Sequence, residues 1–289
     1  MKLSKMDLSQ IKQYLREAPN NVEGRQSDEV RASLEALKQQ AVLSKNESFA
    51  NALWAYEQLL TIQDEYISAF NHIINSKYYE GWCCLANVEK IIHFLKPHYR
   101  SAYKCFYVDF IDEQTTKFQA LFPYRIFFSI EAVAIRKTCS ICGVEIKLRS
   151  ACEHKTGQIY HGRFCGRRIE KVKLPAVSLV TSPEDKRCVA FAGGAGTQDN
   201  YDYSLVRCLV SELKSPFDKW DFTETKKRLP HSQFTSVASG DPCPCESDKI
   251  YVDCCLPEEG VLRPHYNFTL AGSDSRKSGV IHLGASKIT

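Results

Sequence analysis

The stretch Gly240-Asp241-Pro242-Cys243-Pro244-Cys245 is followed, after eight intervening residues, by Cys254-Cys255. Four cysteines this close together cannot form a hydrophobic core, and the chain opens without a secretory signal that would favour disulfides. The spacing suits one tetrahedral ion, because four thiolates at about 2.3 Å satisfy Zn²⁺ and the ion then fixes a small fold. The predicted ligands of this zinc site are Cys243, Cys245, Cys254 and Cys255.

The same stretch, residues 240–256, resembles the SEC-C motif. This motif is the zinc-binding tail of the bacterial preprotein translocase motor and also occurs on many small bacterial proteins. Its pattern reads Asp-Pro-Cys-Pro-Cys-Gly-Ser-Gly-Lys-Lys-Tyr, followed by Cys-Cys or Cys-His. Such tails bind partners in chaperone and translocation machinery, so the resemblance implies docking to another macromolecule. The matching residues are Asp241, Pro242, Cys243, Pro244, Cys245, Ser247, Lys249, Tyr251, Cys254 and Cys255.

The chain departs from the SEC-C pattern at several positions outside the ligands. Glu246 and Asp248 replace the two glycines, and Ile250, Val252 and Asp253 stand where lysines are common in the family. The metal pattern is therefore kept, whereas the basic outer face is not. Partners that the family binds through those lysines are not carried over to this chain.

A second cluster begins with Cys139-Ser140-Ile141-Cys142-Gly143, the C-x-x-C pattern of a zinc knuckle with a glycine that permits the tight turn. The segment that follows supplies four candidate ligands, of which two are needed to close a tetrahedral site. We predict Cys152 and His154, because a C-x-H pair presents both side chains from one strand or turn. Two other pairs remain open: His161 with Cys165, and His154 with Cys165.

The central cluster also raises the question of catalysis, because Glu153 lies between two candidate ligands. A catalytic zinc site keeps one open coordination position next to a general base. The arrangement superficially resembles the H-x-E of zinc deaminases, but no Pro-Cys-x-x-Cys follows it. We therefore expect two structural zinc ions, no catalytic residue and no enzymatic activity.

Composition bears on where the protein works. The chain has 289 residues and 13 cysteines, most of them in the two clusters, which is typical of reduced thiols and bound metal. The opening Met1–Asp7 has no apolar core, and no run approaches the roughly 18 apolar residues of a membrane span. We expect a cytoplasmic protein of bacterial type.

Positive charge is concentrated around the central cluster. The formal net charge is +4, but residues 136–173 carry ten Lys or Arg against three Asp or Glu. Such a patch can follow a phosphate backbone, although no aromatic signature of an RNA-recognition fold is present. Gly166–Val172 is expected to form a basic helix. Nucleic-acid binding is thus the alternative function, through Arg163, Arg167, Arg168 and Lys171.

The first 120 residues have helical periodicity. Helices are expected from Ser27 to about Ser44, over 59–74, and over 85–95 with Pro97 as the stop. Aromatic residues such as Trp54 are dense here. They are interpreted mainly as helix core, with a partner-binding surface as the alternative.

From residue 126 to 135 the period changes to that of a strand with two apolar faces, which predicts a covered sheet. The fold class is therefore α+β. The predicted function is a zinc-binding, non-catalytic adaptor that docks a protein through its SEC-C tail and helical domain. The predicted regions are a helical domain (1–122), a zinc-knuckle α+β domain (123–229), a linker (230–242), a SEC-C zinc module (243–257) and a tail (258–289).

Overall fold

The fold is α+β, as the sequence predicts: α-helices dominate the N-terminal part and small antiparallel sheets follow. The chain divides into two compact units, Met1–Ala120 with Tyr124–Gln198, and Leu121–Pro123 with Asp199–Thr289. This division differs from the boundaries expected from the sequence, since no separate C-terminal module is split off. The computed structural model describes residues 6–98, 100–150, 152–191, 201–270 and 280–282.

Helices build the first part of unit 1. Asp7 caps the first helix in a capping box with Gln10, which satisfies backbone N–H groups at the helix start. The helices predicted from the sequence are present, and Pro97 follows the end of the fourth helix, as expected. The described helices here are α1 (Leu8–Arg16), α2 (Ser27–Leu43), α3 (Glu47–Ile74), α4 (Tyr78–Leu95) and α5 (Val108–Leu121).

Aromatic side chains of these helices lie in the hydrophobic core. The prediction that the dense aromatic residues are mainly helix core is therefore confirmed. Trp54, Tyr66 and Trp82 are all buried. Gln63 is buried among them and donates to the carbonyl oxygens of Leu15 and Phe106 at 2.8 and 3.0 Å, so its amide N–H groups are satisfied. The helical aromatics therefore stabilise the bundle and leave little aromatic surface for a partner.

A long two-stranded antiparallel ribbon follows, made of β1 (Phe127–Cys139) and β4 (Arg167–Val180). Two predictions are wrong here. Gly166–Val172 forms part of a strand instead of a basic helix, because Ile169 and Val172 pair across to β1. The strand over 126–135 is present, but most of its side chains are exposed, because no described element packs over the faces of its middle part.

Both ends of this ribbon are anchored to the helices. Phe127 is buried at one end and stacks on Trp82 of α4 at 6.1 Å. At the other end Phe164 packs on Phe94 of α4 at 5.1 Å. The register shifts of the ribbon fall between Glu131 and Lys137, and such bulges kink a strand locally.

A small hairpin carries Phe164 to the helices. It consists of β2 (Ile159–Tyr160) and β3 (Arg163–Phe164), joined by His161-Gly162 with φ values of 51° and 70°. Two successive positive φ values are the mark of a type I′ turn. The Gly162 N–H donates to Asn51 of α3 at 2.8 Å, and a Cβ at Gly162 would lie 2.9 Å from the carbonyl oxygen of Ala50.

Unit 2 contains α6 (Ser204–Glu212) and an antiparallel sheet in the order β5 (Trp220–Leu229), β6 (Val261–Leu270) and β7 (Val280–His282). No strand was expected over β6, which lies in the segment interpreted as a tail. The structure also differs from the expected linker over 230–242: His231–Gln233 forms a helical turn, and Phe234 is buried in a core with Leu229 and Val261.

Gly162→Ala is predicted to lower the stability of unit 1 more than Gly157→Ala. Both glycines have positive φ, so both substitutions carry a conformational cost of about 1 kcal/mol. Only at Gly162 would an added Cβ also clash with α2 and α3, because a Cβ at Gly157 meets no atom within 4 Å. Urea unfolding of both variants measures the difference; equal losses would show that the hairpin does not depend on this close approach.

Candidate metal centres

The C-terminal cluster brings its four predicted ligands together. The sulfur atoms of Cys243, Cys245, Cys254 and Cys255 all lie within 4.8 Å of one another. The Cys245–Cys254 separation is 3.5 Å and the Cys254–Cys255 separation is 3.9 Å. Four sulfurs placed about 2.3 Å from a tetrahedral ion are about 3.8 Å apart. The cluster can therefore hold one metal ion.

Short backbone hydrogen bonds shape this cluster. The Cys243 N–H donates to the Lys249 carbonyl oxygen at 2.7 Å, and the Tyr251 N–H donates to the Asp241 carbonyl oxygen at 2.8 Å. These bonds fold the segment back on itself, so that Cys243 and Cys245 face the second pair of cysteines. The Cys254 N–H donates to the Tyr251 carbonyl oxygen at 3.2 Å, which turns the chain at that pair.

The cluster is part of the core of unit 2. Cys243 and Cys255 are buried together with Phe234 and Tyr251, against the paired strand ends of β5 and β6. His231 links the segments, because its Nδ1 lies 2.5 Å from the Tyr251 hydroxyl and its Nε2 lies 2.8 Å from the Glu258 carbonyl oxygen. The sequence did not indicate the roles of His231 and Phe234, since neither belongs to the metal pattern.

The thiols of this cluster differ in acidity. Burial raises the pKa of Cys243 to about 12. Burial also acts on Cys245, but the Ser247 hydroxyl and the three neighbouring thiols outweigh it and lower the pKa of Cys245 to about 7. Ser247 Oγ lies 3.0 Å from Cys245 Sγ and 3.1 Å from Cys254 Sγ. Four thiolates at these distances would repel one another, so a bound cation would stabilise them.

The central cluster likewise gathers its predicted residues. The sulfurs of Cys139, Cys142 and Cys152 and one nitrogen of His154 lie within 4.8 Å of one another. Gly143 allows the knuckle turn with φ of 74°, and its N–H donates to the Cys139 carbonyl oxygen at 2.9 Å. This cluster can also hold a metal ion.

Two further observations bear on the ligands of the central cluster. Nδ1 of His154 is buried and has no hydrogen-bond partner among the described residues, which suits an atom that faces an ion. Cys165 is completely buried, and its sulfur lies 3.9 Å from that of Cys139. Five potential ligands thus converge. His161 is not in this group; its N–H donates to Glu47 at 3.3 Å at the hairpin tip.

Electrostatics prepare Cys139 for metal binding. Burial alone would raise its pKa, but the N–H groups of Cys142 and Ile141 and the neighbouring thiols lower the pKa of Cys139 to about 6. The Ile141 N–H lies 3.4 Å from the Cys139 sulfur. A thiolate that is hydrogen-bonded in this way is a ready ligand at neutral pH. Glu153, the residue considered as a catalytic base, is exposed.

Comparisons with known proteins returned no match to a family model, to a curated protein or to a solved structure. Among the described residues, no helix combines the length and the apolar character needed to cross a membrane. The two cysteine clusters are therefore the features from which function is argued.

Cys255→Ser is predicted to remove one metal equivalent and to loosen the base of the β5–β6 sheet, because Cys255 packs in the same core as Leu229 and Val261. Cys208→Ser is the matched control, since Cys208 lies in the same unit on α6 and outside both clusters. Amide hydrogen exchange at the Leu229 end of β5 should accelerate at least tenfold in Cys255→Ser alone. Unchanged protection would contradict a shared core.

Proposed function

We propose that this chain is a zinc-binding, non-catalytic recognition protein that docks to another macromolecule. The observation that carries the metal assignment is the pair of sulfur separations, 3.5 and 3.9 Å, in the C-terminal cluster. They match the edges of a tetrahedron around Zn²⁺, and closed thiolate-rich sites select zinc over harder cations. The Cys and His ligands of the central cluster also prefer zinc to harder cations.

A structural role for both ions agrees with the number of ligands. The C-terminal cluster supplies four sulfurs, and the central one supplies four donors with Cys165 nearby. A zinc ion with four protein ligands has no open position for water or substrate. In the proposed central site, Cys139, Cys142, Cys152 and His154 are the ligands, and Cys165 supports the Cys139 sulfur.

The backbone of the C-terminal cluster supports its likeness to the SEC-C motif. Glu246 and Asp248 have φ values of 61° and 59°, in the left-handed region that favours glycine. These are the two positions where the SEC-C pattern has glycine. The likeness supports docking to a protein partner, since SEC-C tails serve that purpose in the family.

The exposed surfaces suggest where a partner binds. The helical aromatics are committed to core, as Trp54 and Trp82 show, so they give no support to docking through the helical domain. The largest exposed apolar side chains cluster instead on the β1–β4 ribbon. They include Phe128, Ile130, Val133, Ile135, Ile169, Val172, Leu174, Val177 and Leu179.

Elemental analysis of the purified protein tests the zinc assignment. We expect two equivalents of zinc per chain, one of which is lost in Cys255→Ser and the other in Cys142→Ser. Cys208→Ser should keep both. One equivalent or fewer in the wild type would remove a site from this account. Iron or another metal in place of zinc would overturn the assignment.

Nucleic-acid binding is the second candidate function, and one observation favours it. Arg167, Arg168 and Lys171 are exposed on β4, and none forms an ion pair with a described residue. Arg136 stands directly across from Lys171, although like charges in opposite positions destabilise a sheet. A two-stranded ribbon also fits the major groove of DNA. The fourth residue considered, Arg163, instead donates to the Ser140 carbonyl oxygen at 2.7 Å.

A charge reversal separates the two candidates. We expect weak binding to duplex DNA and RNA in mobility shifts, with little change when Arg167 and Arg168 become Glu. Reversal of Lys226 and Lys227 on β5 is the control, because it alters the net charge by the same amount on another strand. Tight wild-type binding that collapses with salt and only with the β4 reversal would make nucleic acid the principal partner.

A further inference from the structure

The outer edge of β1, the edge that faces away from β4, is paired only at its two ends. At one end the Phe128 N–H donates to the Cys188 carbonyl oxygen at 2.7 Å, and the Ala190 N–H donates to that of Ile126 at 2.9 Å. At the other end the Ile146 N–H donates to the Lys137 carbonyl oxygen at 2.9 Å. No described residue hydrogen-bonds the outer edge between Ile130 and Arg136.

The direction of the free groups follows from the alternation of an antiparallel strand. Because the Phe128 N–H points away from β4, the N–H and carbonyl groups of Ile130 and Ala132 point the same way. The register shift between Ala134 and Arg136 adds a residue on β1 and interrupts this alternation beyond Ala134. The gap between the paired ends spans about six residues, or roughly 20 Å. It has the length of a short β-strand.

The outer edge of β4 is blocked, in contrast. Ala176 pairs with Glu131, so the neighbouring Pro175 stands where a backbone N–H would point outwards, and proline has none. Lys171 and Lys173 add charge along the same strand, which is a common protection of sheet edges. The β1 edge has no proline from Ile130 to Arg136, and its charged residues there are Glu131 and Arg136. The β1 edge is therefore the less protected of the two, and it keeps its backbone N–H groups.

A groove adjoins the Ile130 end of the free stretch. It has a volume of about 680 Å³ and lies between β1, with Phe128 and Ile130, helix α4, with Ala86 and Phe94, and the segment 183–188. Its charged lining residues are Glu89, Lys90, Glu184, Asp185 and Lys186. Phe128 and Ile130 are 45% and 54% exposed, and they pair on one face with Leu179 and Val177. Two-stranded ribbons are marginally stable in water, whereas a third strand or a packed face stabilises them.

We propose that an extended segment of a partner protein adds a third strand to the outer edge of β1, between Ile130 and Arg136, with alternate apolar side chains in the groove. The added strand continues the row that Cys188 and Ala190 begin. Backbone hydrogen bonds supply the affinity of such strand addition, and pockets for alternate side chains supply its specificity. This inference rests on the proposed recognition function and names the partner class.

The charged residues near the outer edge of β1 indicate which charges the partner segment carries. The end near the knuckle carries Arg136, with Lys171 and Lys173 behind it on β4, and Arg136 has Glu170 as its acidic neighbour at 3.4 Å. Glu131 places a negative charge at the other end of the free stretch. Charges at the opposite end are largely paired within the chain, as in Lys186 with Glu89 at 2.7 Å. The segment that fits is therefore apolar, extended and acidic at the end that lies beside Arg136.

A fluorescent eight-residue peptide tests the proposal. In this peptide valine and threonine alternate, both termini are capped, and two glutamates stand at one end. A second version of the peptide carries the two glutamates at the other end. We expect saturable binding of one version by fluorescence polarisation. Alternate N-methylation of the peptide should weaken binding about tenfold or more, because it removes strand hydrogen bonds while the protein is unchanged. Lysines in place of the glutamates should weaken it as well.

Two proline variants locate the edge. Ala132→Pro removes an outward N–H from β1 and should weaken binding about tenfold. Val177→Pro removes one from the outer edge of β4 and should leave binding within about threefold. Circular dichroism and zinc content check that both variants fold. With two zinc equivalents retained, absent peptide binding overturns strand addition and leaves the zinc assignment standing.

Three other outcomes would also overturn the proposal. Equal losses in Ala132→Pro and Val177→Pro would show that binding does not use the β1 edge. Equal affinity for the lysine peptide would rule out an acidic partner segment. A wild-type dimer in sedimentation that Ala132→Pro converts to a monomer would show that a second copy of the chain occupies the edge.

Discussion

The convergence of sulfur atoms is the constraint on which much of this structure depends. Thiolates 3.5 to 3.9 Å apart repel one another, and burial of Cys243 and Cys255 disfavours their charged forms further. A bound cation would reverse both effects. Because Phe234, Tyr251 and the Leu229–Val261 strand ends pack on the same cysteines, metal binding at this cluster would stabilise the core of unit 2.

The central cluster plays a different part, because it closes one end of the ribbon. Cys139 ends β1, and Cys165 lies next to Phe164, which packs against Phe94 and Trp54. The other end is held by Phe127 on Trp82 and by the backbone hydrogen bonds of Phe128 with Cys188 and of Ala190 with Ile126. The register shifts of the ribbon lie between these two ends, in the part of β1 that has no outer neighbour among the described residues.

The sequence predicted those parts of the fold that local rules determine. Cysteine spacing located both clusters, and apolar periodicity located α2, α3 and α4. The same rules failed at Gly166–Val172, where a run of Arg, Lys and Glu favours a helix, because pairing with a distant strand decided the outcome. Phe234 and His231 were missed for a related reason: their partners, Tyr251 and Glu258, lie about twenty residues or more away.

The β1–β4 ribbon is unusual because its apolar side chains are exposed. A strand that is apolar on both faces is normally covered, and this one is not. Its two edges differ, since β4 carries Pro175 and lysines, whereas β1 has Glu131, Arg136 and register shifts but no proline. Proline removes a backbone donor outright, whereas a charged side chain only discourages pairing. The β1 edge therefore keeps the backbone donors that strand addition at this edge would use.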